Sequence, residues 1–177
     1  MRRRTWMIGA AAGTGLIAGG GTAWWRSPSR RRIEVDDAPP PDLWKSTFPS
    51  PSGEPLAMAR FAGKPLLLNF WATWCAPCVT EMPLLDQFAH VQPVGGFQVV
   101  ALAIDDAAKV GEFLKAHALR MNIGLAGASG LDLSRSFGNS AGALPFSVAF
   151  AADGSIIDKK LGSLTESLLT SWAARIR

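Results

Sequence analysis

Asn69-Phe70-Trp71-Ala72-Thr73-Trp74-Cys75-Ala76-Pro77-Cys78 contains both cysteines of this 177-residue chain. Just before it, Pro65–Phe70 (PLLLNF) is a short apolar run, the pattern of a strand buried on both faces. After it, a helical pattern runs from about Cys75 to His90, with Pro83 inside it to kink it. The two cysteines therefore fall where a buried strand turns into a helix. Residues i and i+3 of a first helical turn share one face, so the two sulfurs can come within bonding reach. The unpaired N–H groups and positive dipole end of the helix favour a thiolate at Cys75. Pro77 suits the first turn, where its missing N–H costs nothing. Cys75 at the tip is placed to attack a disulfide, and Cys78, deeper in, to resolve the mixed disulfide. On these residues alone an inert disulfide, or two buried thiols, is also open. So is a two-cysteine metal site completed by His90 or His117, although neither histidine has a matching ligand spacing.

Outward from this motif the alternation of elements continues. Phe97–Ile104 (FQVVALAI) predicts a second buried strand. Asp105 and Asp106 are N-cap candidates for a helix over 107–117, with Val110, Phe113 and Leu114 on its inner face. Residues 121–125 suit a short strand and 131–137 a short helix. Phe146–Ala151 and Ser155–Leu161 flank Asp153-Gly154, a strong hairpin turn. Thr165–Ile176 closes the chain as an amphipathic helix capped by Thr165. Upstream, Pro49–Gly53 has turn chemistry, and Glu54–Phe61 predicts a strand of an N-terminal hairpin. The order implies an α/β domain with a central mixed sheet and helices on both faces.

Charge is divided unevenly along the chain. The net charge is +4, yet the first 32 residues carry seven arginines and no acid, which leaves 11 basic and 14 acidic residues over 33–177. The basic balance therefore belongs to the tail, which argues against a nucleic-acid-binding domain. Arg2–Arg4 precede 21 uncharged residues, Thr5–Trp25, long enough to cross a bilayer but weakened as a helix by six glycines. Residues 1–25 read as a signal anchor or as a cleaved signal peptide, of either the general or the twin-arginine kind. Residues 26–42 read as a charged, proline-rich linker whose Pro39–Pro41 favour an extended segment, and whose arginines can touch anionic lipid. Residues 43–177 read as the catalytic domain. Either export route places it outside the cytoplasm, where disulfides persist.

The stretch from Asn69 to Cys78, followed by Glu81-Met82-Pro83, resembles the TlpA/ResA-like branch of thioredoxin-fold oxidoreductases. The likeness extends from about residue 45 to the C-terminus. It includes Gly63-Lys64-Pro65, Leu144-Pro145-Phe146-Ser147, Asp153-Gly154 and Gly162. It implies a thioredoxin-like fold with an N-terminal β-hairpin and an extracytoplasmic disulfide reductase, with a role in cytochrome c maturation among its uses. It makes Pro145 a cis-proline, with Leu144 pairing along an extended substrate segment. Trp74, Ala76 and Pro77 complete the substrate surface, while Trp71 belongs to the core. Asn69 stands where cytosolic thioredoxins carry a buried Asp, so that proton route is missing. Glu81, one turn after Cys78, is the carboxylate that the resemblance places in proton transfer. No cofactor is implied beyond the redox-active Cys75–Cys78 pair. The implied partners are substrate protein disulfides, apocytochrome c among them, and a membrane electron donor of the DsbD/CcdA kind. A disulfide oxidant or isomerase is the alternative enzyme. A metal-handling module on the same fold would need a longer Cys–Cys spacing and a dedicated His.

Overall fold

The computed structural model describes residues 43–176. The expected signal or anchor segment and the linker lie outside the described residues. A five-stranded sheet in the order β5-β4-β3-β6-β7 forms the centre. β3 (Leu66–Trp71) and β4 (Gln98–Ala103) occupy the interior, and every residue of β3 is buried. β5 (Asn122–Leu125) extends the parallel run, while β6 (Phe146–Phe150) and β7 (Ile156–Leu161) pair antiparallel. The sheet is therefore mixed.

Two crossovers, β3 to β4 and β4 to β5, put α1 (Ala76–Val91) and α2 (Ala107–Ala116) on one face. α4 (Glu166–Ala174) joins them there through Leu169 and Trp172. The opposite face is covered by α3 (Ser129–Ser136), by 3₁₀ turns at Leu43–Lys45 and Met58–Phe61, and by a cluster of Phe70, Phe137, Phe146 and Phe150. Both predicted caps form. Asp106 accepts the N–H groups of Ala108 and Lys109, and Thr165 accepts that of Leu168.

The N-terminal hairpin is shorter than its sequence pattern. β1 (Thr47–Pro49) pairs with β2 (Pro55–Ala57), and the chain then leaves the strand for the Met58–Phe61 turn. Met58 and Phe61, three apart, both point into the core from that turn, as successive 3₁₀ turns allow. The hairpin lies against β5 because residue 124 is glycine. A Cβ there would stand 2.7 Å from Leu102 Cδ2 and 3.2 Å from Leu56 Cδ2.

Candidate active site

β3 delivers the chain to the site. It ends at Trp71, and four residues later Cys75 is the N-cap of α1, in extended conformation. The turn between is fixed at both ends. The Cys75 N–H donates to the Ala72 carbonyl at 3.2 Å, and the Thr73 N–H donates to Asp105 Oδ2 at 2.9 Å. The Thr73 hydroxyl donates to the same oxygen. Burial pushes the Asp105 carboxyl up, but the Thr73 and Asp106 donors and the charge of Lys109 outweigh it and hold it below the usual carboxylate range. Of the adjacent aspartates, then, Asp106 caps α2 and Asp105 ties β4 to the turn before Cys75.

Cys75 and Cys78 form a disulfide, with Cα atoms 5.2 Å apart. Cys78 is fully buried, and Cys75 is 6% exposed. Trp74 is 66% exposed, and Ala76 and Pro77 are exposed as well, so the rim of the disulfide carries no charge. Trp71, in contrast, is buried and packs on Phe113 with ring centroids 5.2 Å apart.

The Leu144–Pro145 peptide is cis, as the resemblance implies. Pairing of Phe70 with Phe146 brings Pro145 to the sheet end at which β3 turns towards α1. The loop before it is shaped by Asn139, which sequence reading missed. Its Nδ2 donates to the Ala143 carbonyl at 2.9 Å, and its Oδ1 accepts the Ala143 N–H at 3.1 Å. A buried amide that closes on a backbone four residues on has no signature beyond being an Asn in a loop.

Glu81 is buried, at 4% exposure, on the helix that carries both cysteines. Its Oε1 accepts Asn69 Nδ2 at 2.9 Å, and its Oε2 accepts the Leu164 N–H at 2.8 Å. Burial pushes its carboxyl up, and these two donors only partly offset that. Asn69 Nδ2 also donates to Ser147 Oγ at 2.9 Å, across the β3–β6 register in which the two residues face each other. In the sequence, Ser147 enters only within the Leu144–Ser147 stretch, with no role, and nothing points to Leu164. A lone polar residue within the apolar run FSVAF was the available signal for Ser147.

The histidines are bound locally. His90 Nδ1 donates to the Asp86 carbonyl at 2.7 Å, and His117 Nδ1 donates to that of Phe113 at 2.9 Å. Among the described residues no group of three or more His, Cys, Asp or Glu side chains is placed to hold a metal ion.

A vicinal cysteine pair at the head of a helix, beside a cis-proline and on this sheet, defines a thioredoxin-fold thiol–disulfide oxidoreductase. Comparison with known proteins agrees. The Redoxin family model matches residues 39–171, and the chain belongs to that family. The thiol-disulfide oxidoreductase ResA of a Bacillus cereus strain is 29% identical over 125 residues, 70% of each chain. A thioredoxin-related protein from Neisseria meningitidis serogroup B is 29% identical, covering 70% of this chain and 93% of that one, with a TM-score of 0.62. A secreted Mycobacterium tuberculosis disulfide oxidoreductase homologous to E. coli DsbE shares the fold at 24% identity. The match covers 77% of this chain and 99% of that one, with a TM-score of 0.62. Within the Redoxin family the chain is thus ResA-like.

Proposed function

We propose that this oxidoreductase works as a disulfide reductase outside the cytoplasm. The observation that carries the dithiol chemistry is the buried Glu81 carboxylate, one turn beyond Cys78 and held by two donors, while the reducing direction is supported by the likeness to ResA. In the reductive half-reaction Cys75 attacks as a thiolate and forms a mixed disulfide, releasing one substrate thiolate. Cys78 must then lose its proton before it can attack Cys75 Sγ. Glu81 takes that proton as general base. The Cys75–Cys78 disulfide closes and the second substrate thiolate leaves. Two electrons have passed from the dithiol to the substrate, and the dithiol itself is the only carrier used.

The uncharged rim of Trp74, Ala76, Pro77 and Leu144 suits an extended peptide laid beside cis-Pro145. Apocytochrome c with an oxidised cysteine pair is one such substrate. A membrane donor of the DsbD/CcdA kind would return the electrons. The arginine-rich start of the chain followed by 21 uncharged residues supports export or membrane attachment, as does the secreted state of the mycobacterial relative. Among the described residues no helix is long and apolar enough to cross a membrane.

The same carboxylate serves both directions by microscopic reversibility, so potential decides between reductase and oxidant. Equilibration with glutathione or thioredoxin tests the proposal. A reductase should lie near the thioredoxin value of about −270 mV, whereas a value near about −120 mV would make the protein an oxidant.

A further inference from the structure

Asn69 is bonded at one end only. Both of its hydrogen-bond partners, Glu81 Oε1 and Ser147 Oγ, lie on the Nδ2 side. Its Oδ1 is buried without a partner. A primary amide has two donors on one end and two acceptor lone pairs on the other. One end of this buried amide is unpaired in either orientation, so the groups at the other end, Glu81 and Ser147, decide which way it points. When the amide is turned by half a rotation, Nδ2 takes the unpartnered place and the number of hydrogen bonds at the other end is kept. Oδ1 then faces Glu81 and Ser147, and a carboxylic acid and a hydroxyl can both donate to it.

Protonation of Glu81 makes that turn necessary. Oε2 faces the Leu164 N–H, a backbone donor that cannot reverse. The proton must therefore sit on Oε1, where it would meet the N–H of Asn69 donor against donor. Of the two groups holding the carboxyl, only Asn69 can exchange a donor for an acceptor without moving the chain. Ser147 follows, since a hydroxyl both accepts and donates.

We propose that Asn69 is a positioning residue whose side-chain amide turns over as Glu81 gains and loses a proton, offering Nδ2 to the carboxylate and Oδ1 to the acid. The inference rests on the reading of Glu81 as the base for Cys78. In the resting dithiol the carboxylate is held by Nδ2. The Cys78 proton moves to Oε1, the amide turns, and Oδ1 accepts from Glu81 and Ser147. Loss of that proton to solvent after the disulfide closes turns the amide back. The only covalent bonds made or broken in the switch are the Cys78 S–H and the Glu81 O–H. An ionised Asp at position 69 has no donor for the carboxylate, and an aliphatic residue has neither function.

The elements packed around Glu81 carry other charged and titratable groups. Cys75 and Cys78 of α1 are locked in the disulfide. On β7, Lys160 pairs with Ser147 in register, on the same sheet face as Asn69. Glu166 is exposed at the start of α4. β4 contributes Ala101 opposite Asn69. Neither Lys160 nor Glu166 shares a hydrogen bond with the Asn69–Glu81–Ser147 set.

The test is an NMR titration of the full chain in its oxidised form, following the Glu81 carboxyl carbon and the Asn69 side-chain NH₂ signals together. The proposal predicts one shared midpoint, with the Asn69 signals losing the character of donors to a carboxylate as Glu81 is protonated. In Glu81→Gln the Asn69 signals should stay flat over the same pH range. Asn69 signals that remain fixed while Glu81 titrates would overturn the proposal. So would signals that still titrate in Glu81→Gln, or a Glu81 carbon that never titrates while the chain is folded. No substrate and no turnover are involved, so failure here leaves the reductase reading standing. Failure of the potential measurement likewise leaves the switch standing.

Discussion

The carboxylate of Glu81 accepts the backbone N–H of Leu164 at 2.8 Å, joining the cysteine-bearing helix to the segment that leads into α4. With the Asn69 bond at 2.9 Å, it makes Glu81 a buried cross-link between α1, β3 and the C-terminal part of the chain. Burying a carboxylate is costly even when it is hydrogen-bonded, and a buried carboxylate beside a reactive pair marks a functional site.

Replacing Glu81 by Gln should keep the hydrogen-bonding shape and remove the base. Stopped-flow measurement of mixed-disulfide resolution should then show slowing on the order of 10²-fold. Formation of the mixed disulfide by Cys75 should change much less. Equal effects on both steps would point to a disturbed fold.

The same residue shapes stability against pH. Burial raises the Glu81 carboxyl above the ordinary glutamate value of about 4.3. The fold therefore prefers the protonated form. That preference stabilises fully below the unfolded value and is lost as pH rises through the raised folded value. Denaturation of the oxidised protein should show this decline between those limits. Glu81→Gln, neutral throughout, should not show it.

Asp105 works in the opposite sense. Its carboxyl is held low against burial by the Thr73 and Asp106 donors, with help from Lys109. Its contribution is present above the unfolded value of about 3.9 and is lost as pH falls through the lowered folded value. Asp105→Asn should cost about 1–2 kcal/mol at neutral pH, judged from hydrogen bonds to a partly exposed charge. The variant should also lose the acid-side decline. Because Thr73 stands two residues before Cys75, its thiol exchange rate should fall too.

Asp86 tests the scaffold rather than the chemistry. Its Oδ1 accepts two backbone N–H groups, from Arg120 at 2.7 Å and Met121 at 2.8 Å, next to β5. Asp86→Ala leaves both donors unsatisfied and should cost about 2–3 kcal/mol. The thermal midpoint should drop on the order of 10 °C. The reduction potential of the cysteine pair should not move.

Much of this was legible in the sequence. PLLLNF and FQVVALAI read as buried strands because a strand covered on both faces has no polar alternation to show. Cys75 and Cys78 were placed by the strand-to-helix change, Asp106 and Thr165 by cap chemistry, and Asp153-Gly154 by its turn. The stretch Glu54–Phe61 was less legible, since Met58 and Phe61 bury from a 3₁₀ turn whose spacing resembles neither a strand nor an α-helix. The partners of Glu81 were hidden for another reason. Asn69 and Ser147 meet only through the β3–β6 register, set by the whole intervening chain, and Leu164 contributes a backbone N–H that every residue but proline possesses.

The chemistry depends above all on Cys75 being the attacking thiol and Cys78 the resolving one. Expression of Cys78→Ser in cells, with protein recovered under acid quench, separates the two roles. A substrate should then be held on Cys75 as a mixed disulfide, released by reductant and missing in Cys75→Ser. Accumulation on Cys78 in Cys75→Ser, with none in Cys78→Ser, would contradict the assignment.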